Sequence, residues 1–151
     1  MLSDELRELY EETVLDHNRA PSNFRALPDA DHSADGYNPL CGDRVTVFVK
    51  LDGDVVTDVT FQGTGCAISI TSASLMTEAV KGRTTAQVEA LFDHFHHLVT
   101  SPPDTARADE DLGDLSALAG VREFPVRVKC ATLAWHALRA ALHDQQTVTT
   151  E

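Results

Sequence analysis

The sequence contains little cysteine, few aromatic residues and little basic charge. Its 151 residues include three cysteines and one tryptophan, and aromatic residues make up 6% of the chain. An odd and small number of cysteines does not form a disulfide framework, so we expect a cytoplasmic protein whose thiols act as ligands or nucleophiles. No apolar run approaches the roughly 18 residues of a membrane span, and the acidic N-terminus is unlike a secretory leader or a transit peptide.

The charge balance is strongly acidic, with 24 acidic residues against 12 basic ones and a formal net charge of −12. A surface of this sign repels phosphate groups, so we do not expect nucleic acid among the partners. Without a long apolar run, we expect no membrane among them either. It suits an encounter with a basic patch on another protein. The length and the hydrophobic content of 42% predict a single domain over residues 1–151, with an ordered core from about 3 to about 143.

Side-chain periodicity predicts five helices and two strands. Apolar residues at helical spacing predict helices near residues 3–17, 66–81, 85–99, 112–119 and 128–143. Alternating β-branched residues predict strands at 44–50 and 55–61, and we expect a loop over 24–40. Because the strands come first and most helices later, the order indicates an α+β fold, in which helices cover one face of an antiparallel sheet.

The two predicted strands are joined by a hairpin at Asp52-Gly53. A loop of two residues would set valine opposite aspartate and mix the apolar and solvent faces. A loop of three residues keeps one face apolar, and it predicts the pairs Leu51–Val55, Val47–Val59 and Val45–Phe61.

Three thiols and one carboxylate lie at the ends of predicted elements. Cys41 and Asp43 precede the first strand, Cys66 lies at a strand-to-helix turn, and Cys130 lies in the first turn of the last helix. A helix N-terminus favours the thiolate form of cysteine, and so does a nearby positive charge such as that of Arg127 beside Cys130. If these ends converge, three sulfurs and a carboxylate form a tetrahedral set that suits zinc.

The carboxylate makes such a site functionally asymmetric. Structural zinc sites are usually closed by sulfur and histidine ligands, and a carboxylate is a harder ligand for this ion. The site could therefore exchange a ligand and free a thiolate for nucleophilic attack, which indicates thiol transfer because zinc has no redox chemistry. The alternative is that the cysteines are small buried core residues, and the wide spacing of the thiols leaves that alternative open.

Packing or solvation explains the other candidate clusters better than chemistry does. His94, His96 and His97 alternate with apolar residues that take the inward face of a helix, so we expect the three histidines to face solvent. Trp135 and Phe124 are expected to be packing residues and not parts of a cofactor site.

Three motifs, in order along the chain, resemble one known family. The stretches PLCGD at 39–43, GTGCAIS at 63–69 and RVKCATLAW at 127–135 closely resemble SufU-type proteins of iron–sulfur cluster assembly. These belong to the U-type superfamily, with NifU N-terminal domains and IscU-like scaffolds. Residues 9–24, LYEETVLDHNRAPSNF, resemble the superfamily's opening helix and the turn after it. The resemblance covers most of the chain and implies a SufE/NifU-like α+β fold, a three-stranded antiparallel sheet with helices packed on one face.

The resemblance also implies a metal site and a sulfur acceptor. By motif, Cys41, Asp43, Cys66 and Cys130 match the family's four metal ligands. Cys41 further matches the thiol that accepts persulfide sulfur from a SufS-type cysteine desulfurase, a pyridoxal-phosphate enzyme. In the family, zinc moves to a histidine of the desulfurase and thereby frees this thiol. Arg127 matches the arginine that pairs with the aspartate when the ligands rearrange.

Two features separate this chain from the scaffold branch of the superfamily. Scaffolds typically have histidine immediately before the third cysteine, whereas this chain has Lys129. A protonated lysine offers no lone pair to a metal or a cluster. Scaffolds also carry a double-proline motif, whereas this chain has EFPVR at 123–127. The segment between Cys66 and Cys130 is longer than in scaffolds, as it is in SufU-type proteins.

Three hypotheses for the function follow. The first is a zinc-dependent sulfurtransferase that accepts sulfur on Cys41, with Arg127 balancing charge; a downstream scaffold would receive the sulfur. The second is a scaffold that assembles an iron–sulfur cluster on the same four residues and hands it on. The third is a protein in which zinc only holds the fold and the function lies in partner binding. We expect a monomer or a weak homodimer.

Overall fold

A computed structural model describes residues 4–101, 110–145 and 147–149. The predicted start of the first helix at Ser3 lies just outside these ranges. In chain order the elements are α1 (Asp4–Arg19), β1 (His32–Asn38), β2 (Asp43–Asp52), β3 (Val55–Thr64), α2 (Ala67–Val80), α3 (Thr85–Thr100), a 3-10 helix (Glu110–Glu123), α4 (Pro125–Leu142) and β4 (Thr147–Thr149). The α+β class is confirmed. No helix in the described ranges is long and apolar enough to cross a membrane.

The sheet has four strands in the order β3-β2-β1-β4, one more than expected. β1 pairs antiparallel with β2, β2 pairs antiparallel with β3, and the short β4 runs parallel to β1. β1 occupies residues 32–38, HSADGYN, inside the expected loop 24–40, so that prediction is wrong for this segment. Its buried positions are Ala34, Gly36 and Asn38, which leave no hydrophobic alternation for sequence analysis to detect.

The β2–β3 hairpin has a different register from the predicted one. A loop of two residues pairs Asp52 with Val55, and Gly53 in this loop takes the left-handed backbone conformation, with φ +64. One extra residue, Thr57, then forms a bulge that corrects the alternation of faces. The resulting pairs are Val49–Val59, Val47–Phe61 and Val45–Gly63. The apolar face is thus kept by a bulge and not by a longer loop.

The inward face of the sheet is covered by helices. α4 packs on β1 and β2, α2 packs on β3 and α4, and α1 packs against α2. Trp135 of α4 is fully buried, as expected, and its ring stacks on Phe95 of α3 with centroids 4.9 Å apart. The expected apolar face of α3 is buried, and the expected solvent positions of its three histidines, His94, His96 and His97, are exposed.

Polar side chains attach α1 to α2 and so fix the start of α2. Nδ1 of His17 lies 2.6 Å from Oγ of Ser74. The Asn18 amide donates to Oγ1 of Thr71 and to the carbonyl of Ala67, both at 3.1 Å. Because Ala67 is the first residue of α2, these contacts hold the helix end at which Cys66 is the N-cap residue.

α4 begins earlier than the apolar pattern indicates. Its first residue is Pro125, a residue type well suited to the first helical position, whereas the predicted start is Val128. The first turn carries exposed side chains, so the apolar stripe starts only one turn later. Cys130 therefore lies in the second turn and not in the first, and the expectation that the helix N-terminus stabilises its thiolate is wrong.

Candidate metal centre

Four chain segments bring the predicted ligands to one end of the sheet. Cys41 lies in the turn between β1 and β2, and Asp43 is the first residue of β2. The hairpin pairs Arg44 with Thr64, which sets Asp43 beside the chain that leads out of β3 to Cys66. α4 crosses β1 and β2 and brings Cys130 to the same place. The convergence required by the sequence argument is therefore present.

The distances between the donor atoms are short. Sγ of Cys130 lies 3.3 Å from Sγ of Cys41, and Sγ of Cys66 lies 3.8 Å from Oδ2 of Asp43. One donor atom each from Cys41, Asp43 and Cys130 lie within 4.8 Å of one another. All three cysteines are free thiols. Cys66 thus adjoins the group of three through the carboxylate of Asp43.

This donor set fits a zinc ion. Two thiolates bound tetrahedrally to zinc at about 2.3 Å lie roughly 3.8 Å apart. The sulfur–sulfur separation of 3.3 Å is shorter than that length, and the sulfur–oxygen separation of 3.8 Å is longer than the roughly 3.5 Å expected for a thiolate and a carboxylate on one zinc. Each of these two separations therefore needs to change by only about 0.5 Å or less. Sulfur donors favour zinc, copper(I) or iron–sulfur clusters over magnesium or calcium. The residues that would hold the ion are Cys41, Asp43, Cys66 and Cys130, and the ion would keep the three thiols deprotonated.

The four side chains differ in their exposure to solvent. Cys130 is fully buried and Asp43 is 2% exposed, whereas Cys41 and Cys66 are half-buried. Cys41 lines an open groove of about 640 Å³ together with Leu40 and residues 123–127. The groove wall is apolar and exposed, because Leu40 is 68% exposed and Val126 is 63% exposed. Phe124 belongs to this wall and is 51% exposed, so the expectation that it packs in the core is wrong.

Cys66 has an acidic thiol. A hydrogen bond from Cys130 and the backbone N–H groups of Ser69 and Ile68 lower the pKa of Cys66 to about 6. Burial of the thiol and the charge of Asp43 oppose this shift. Since Ser69 and Ile68 lie in the first turn of α2, the expected effect of a helix N-terminus is confirmed for Cys66.

Cys130 behaves in the opposite way. Its pKa is raised by the hydrogen bond with Cys66, by burial, and by Cys41 and Asp43. The two opposite shifts favour a negative charge on Cys66 and a proton on Cys130. Arg127 is exposed and lies at the edge of this group, and its pKa is raised first by a hydrogen bond to Cys130 and then by electrostatic attraction to Cys66. This position suits the charge-balancing role expected for Arg127.

Two residues near the site carry no signal in the sequence. Asn38, the last residue of β1, is fully buried, and its side-chain amide donates to Sγ of Cys130 at 3.5 Å. Tyr10 of α1 lies near Arg127 and Cys66, and burial raises the pKa of its phenol. Asn38 could have been suspected only from its position just before the PLCGD motif, and Tyr10 has the spacing of an ordinary apolar-face residue.

Fold and site together define the class of protein. The family model described as the NifU-like N terminal domain matches residues 9–131, which include all four converging residues. The chain belongs to this family. The family resemblance inferred from the three motifs is thereby confirmed.

Individual relatives divide between two descriptions. The chain is 40% identical over 141 residues to the zinc-dependent sulfurtransferase SufU of Bacillus subtilis (strain 168), covering 93% of this chain and 94% of that protein. It is also 40% identical over 142 residues to the iron–sulfur cluster assembly scaffold protein IscU of Streptococcus pyogenes serotype M1, covering 94% and 87%. A solved structure, a proposed SUF-system scaffold protein of Fervidobacterium islandicum AW-1, superposes with a TM-score of 0.80 at 31% identity over 89% of this chain and 97% of that chain.

Proposed function

We propose that this protein acts in iron–sulfur cluster assembly as a zinc-dependent sulfur acceptor. Cys41 takes a sulfane sulfur from the persulfide of a partner cysteine desulfurase of the SufS type. Asp43, Cys66 and Cys130 hold the metal with Cys41, and Arg127 balances charge. The match to the NifU-like N terminal domain and the similarity to the sulfurtransferase SufU of Bacillus subtilis support this function.

The observation that carries the proposal is the position of Cys41 on the open groove, which is lined by none of the other three donors, Asp43, Cys66 and Cys130. Cys41 is half-buried and lines an open groove, whereas Cys130 is fully buried and Asp43 nearly so. A thiol that accepts sulfur from another protein must reach that protein's active site. Cys41 has both the access and the adjoining apolar surface for this, and the three remaining donors can stay with the metal.

Sulfur transfer to Cys41 is a thiol–persulfide exchange and needs no oxidant. The Cys41 thiolate attacks the terminal sulfur of the donor persulfide, the donor's sulfur–sulfur bond breaks, and the donor leaves as a thiolate. A new sulfur–sulfur bond forms on Cys41, so the number of persulfides is unchanged. Bound zinc supplies a deprotonated thiol at neutral pH. Arg127, whose guanidinium lies near all three sulfurs, offsets the negative charge that accumulates at the site.

The second candidate is a scaffold on which an iron–sulfur cluster is assembled by the same four residues. The chain is as similar to the scaffold protein IscU of Streptococcus pyogenes as it is to the sulfurtransferase SufU, which supports this candidate. Lys129 argues against it, because the position before Cys130 offers a cation where scaffolds typically have a histidine. We therefore place sulfur transfer first, with a separate scaffold as the downstream acceptor.

Desulfurase turnover tests the proposal directly. The zinc-loaded protein is added to a SufS-type desulfurase and cysteine, and sulfide release in the presence of a thiol reductant is compared with that of the Cys41→Ala variant. We expect strong activation by the wild-type protein and none by the variant. Mass spectrometry without reductant should find one additional sulfur on Cys41 and none on Cys66 or Cys130.

Other outcomes favour the competing functions. If the zinc form is inert while iron reconstitution gives a stable cluster that passes to an apo-ferredoxin, the scaffold function is correct. If Cys41→Ser folds normally and leaves partner turnover unchanged, zinc only stabilises the fold. Metal analysis of protein purified without added metal is the companion measurement, and the proposal expects close to one zinc per chain.

A further inference from the structure

Asn38 is a buried amide at the metal centre that the proposed reaction does not use. It is the last residue of β1, pairs with Asp43 of β2, and has no exposed surface. A buried polar side chain costs free energy unless its hydrogen bonds are made. Such a residue next to a donor set therefore requires a specific explanation.

The contacts of Asn38 point towards two of the converging cysteines. Its side-chain Nδ2 donates to Sγ of Cys130 at 3.5 Å. Its backbone carbonyl accepts the N–H of Cys41 at 3.2 Å, which closes the turn that carries this thiol. Its Oδ1 is buried without a hydrogen-bond partner. The side-chain amide thus makes a hydrogen bond to sulfur through Nδ2 and none through Oδ1.

Cys130 has greater need of a side-chain donor than Cys66. Cys66 is the N-cap residue of α2, so it lies beside the backbone N–H groups of the first turn, which have no partner within the helix. Cys130 lies in the second turn of α4, where the backbone N–H groups are engaged within the helix. It is also fully buried, so water cannot solvate a thiolate there. A neutral N–H donor stabilises a buried thiolate without adding charge to the interior.

We propose that Asn38 is a positioning residue of the metal centre, whose amide N–H orients and stabilises the Cys130 sulfur as a permanent metal ligand. The inference rests on the proposed zinc site and assigns different roles to two of its cysteines. Cys130, held by Asn38, stays on the metal, whereas Cys41, at the open groove, leaves it. Hydrogen bonds from outside the ligand shell commonly change metal affinity by 10- to 100-fold.

Two substitutions isolate the amide, and a third serves as a matched control. Asn38→Leu removes the donor but keeps four side-chain heavy atoms branched at Cγ, and Asn38→Asp keeps the shape but replaces the NH2 group with an oxygen. Thr60→Val is the control, because Thr60 is fully buried in the same sheet and its hydroxyl also lacks a partner. Zinc affinity is measured by chelator competition, and the cobalt(II)-substituted proteins are compared by absorption spectroscopy, since thiolate-to-cobalt charge transfer reports the environment of the sulfurs.

We expect Asn38→Leu to lower zinc affinity by about 10-fold or more and to shift the thiolate-to-cobalt band. Asn38→Asp should lose at least as much affinity, and Thr60→Val should match the wild type in both measurements. If Asn38→Leu does not fold, Asn38→Asp carries the same expectation. Wild-type affinity and an unchanged cobalt spectrum in a folded Asn38 variant would overturn the inference.

The outcome is separable from that of the proposed function. A wild-type protein that binds no zinc overturns both, because no ligand remains for Asn38 to hold. A wild-type protein that binds zinc and accepts sulfur, together with Asn38 variants that bind zinc equally well, overturns this inference alone. Weakened zinc binding in the Asn38 variants without sulfur transfer by the wild type supports the positioning role and rejects the transfer function.

Discussion

Asp43 accepts a hydrogen bond of 2.7 Å from the backbone N–H of Cys66 through Oδ1, while its Oδ2 lies 3.8 Å from the sulfur of the same residue. The carboxylate of Asp43 therefore joins the start of β2 to the start of α2, and its second oxygen still faces the cysteine sulfurs of the candidate metal centre. Because Asp43 is 2% exposed, little water competes for either oxygen. The N-terminus of α2 adds a favourable field for its negative charge.

Gly65 is predicted to be required for the position of this carboxylate. A Cβ atom at Gly65 would lie 2.7 Å from Oδ1 and 3.1 Å from Cγ of Asp43, so Gly65→Ala must displace the side chain. We expect zinc affinity, measured by chelator competition, to fall by about 10-fold or more in a protein that still folds. Gly53→Ala is the control, since an alanine at its left-handed φ of +64 costs roughly 1–2 kcal/mol of stability, at the β2–β3 turn and away from the metal donors. Equal zinc affinity in both variants would contradict the prediction.

Zinc is predicted to stabilise the folded protein, because its donors lie on the β1–β2 turn, β2, the start of α2, and α4. A ligand that binds only the native state adds about 2.7 kcal/mol at a free concentration about 100 times its Kd. We expect the midpoint of thermal unfolding to rise with zinc and to return on addition of a chelator. Cys130→Ser should show a much smaller response to zinc. A midpoint insensitive to zinc in the wild type would argue against a metal held by the native fold.

Ser72 is predicted to be a stabilising hydrogen-bond centre between α2 and α4. Its hydroxyl donates to the carbonyl of Ala131 and accepts the indole N–H of Trp135 at 3.2 Å, all within the buried core. Ser72→Ala leaves the buried indole N–H of Trp135 without this acceptor and removes the bond to Ala131, so we expect a loss of about 1–3 kcal/mol. Urea unfolding followed by the fluorescence of Trp135, the one tryptophan of the chain, measures it. Ser33→Ala, at an exposed position of β1, should change stability by less than about 0.5 kcal/mol.

His136 is predicted to make the protein less stable in mild acid. Its pKa is lowered below the ordinary value of 6.5, first by burial of the side chain and then by the charges of Arg139 and His96. The unfolded chain therefore binds more protons than the native state between the two pKa values, and the free energy of unfolding falls as the pH drops through that window.

Urea unfolding at about pH 7.5 and about pH 5 measures this effect. We expect His136→Gln to reduce the loss of stability between the two pH values, relative to the wild type. His97→Gln, at an exposed position of α3, should retain the wild-type loss. A wild-type loss that persists in His136→Gln would assign the acid sensitivity to other groups.

Local patterns in the sequence are sufficient for the elements with strong periodicity. The apolar stripe of α3, Val88 to Val99, is buried as predicted, because a helical stripe has only one way to face a core. β1 was missed, because HSADGYN becomes a strand only through pairing with β2 on one side and β4 on the other. The predicted register of the β2–β3 hairpin is wrong because Thr57 forms a bulge. A bulged residue leaves no pattern in the sequence that distinguishes it from a longer loop.

The amino-acid sequence was sufficient to identify the available donors, Cys41, Asp43, Cys66 and Cys130, and to place the first three at or beside the ends of elements. Tertiary structure alone decided how these donors differ. The pKa of Cys66 is lowered first by the hydrogen bond from Cys130 and then by the backbone N–H groups at the start of α2. The pKa of Cys130 is raised first by its hydrogen bond with Cys66 and then by burial. Burial and mutual distance arise from the packing of segments far apart in the chain. The accessible Cys41, and the amide of Asn38 behind Cys130, follow from that packing and from no local pattern.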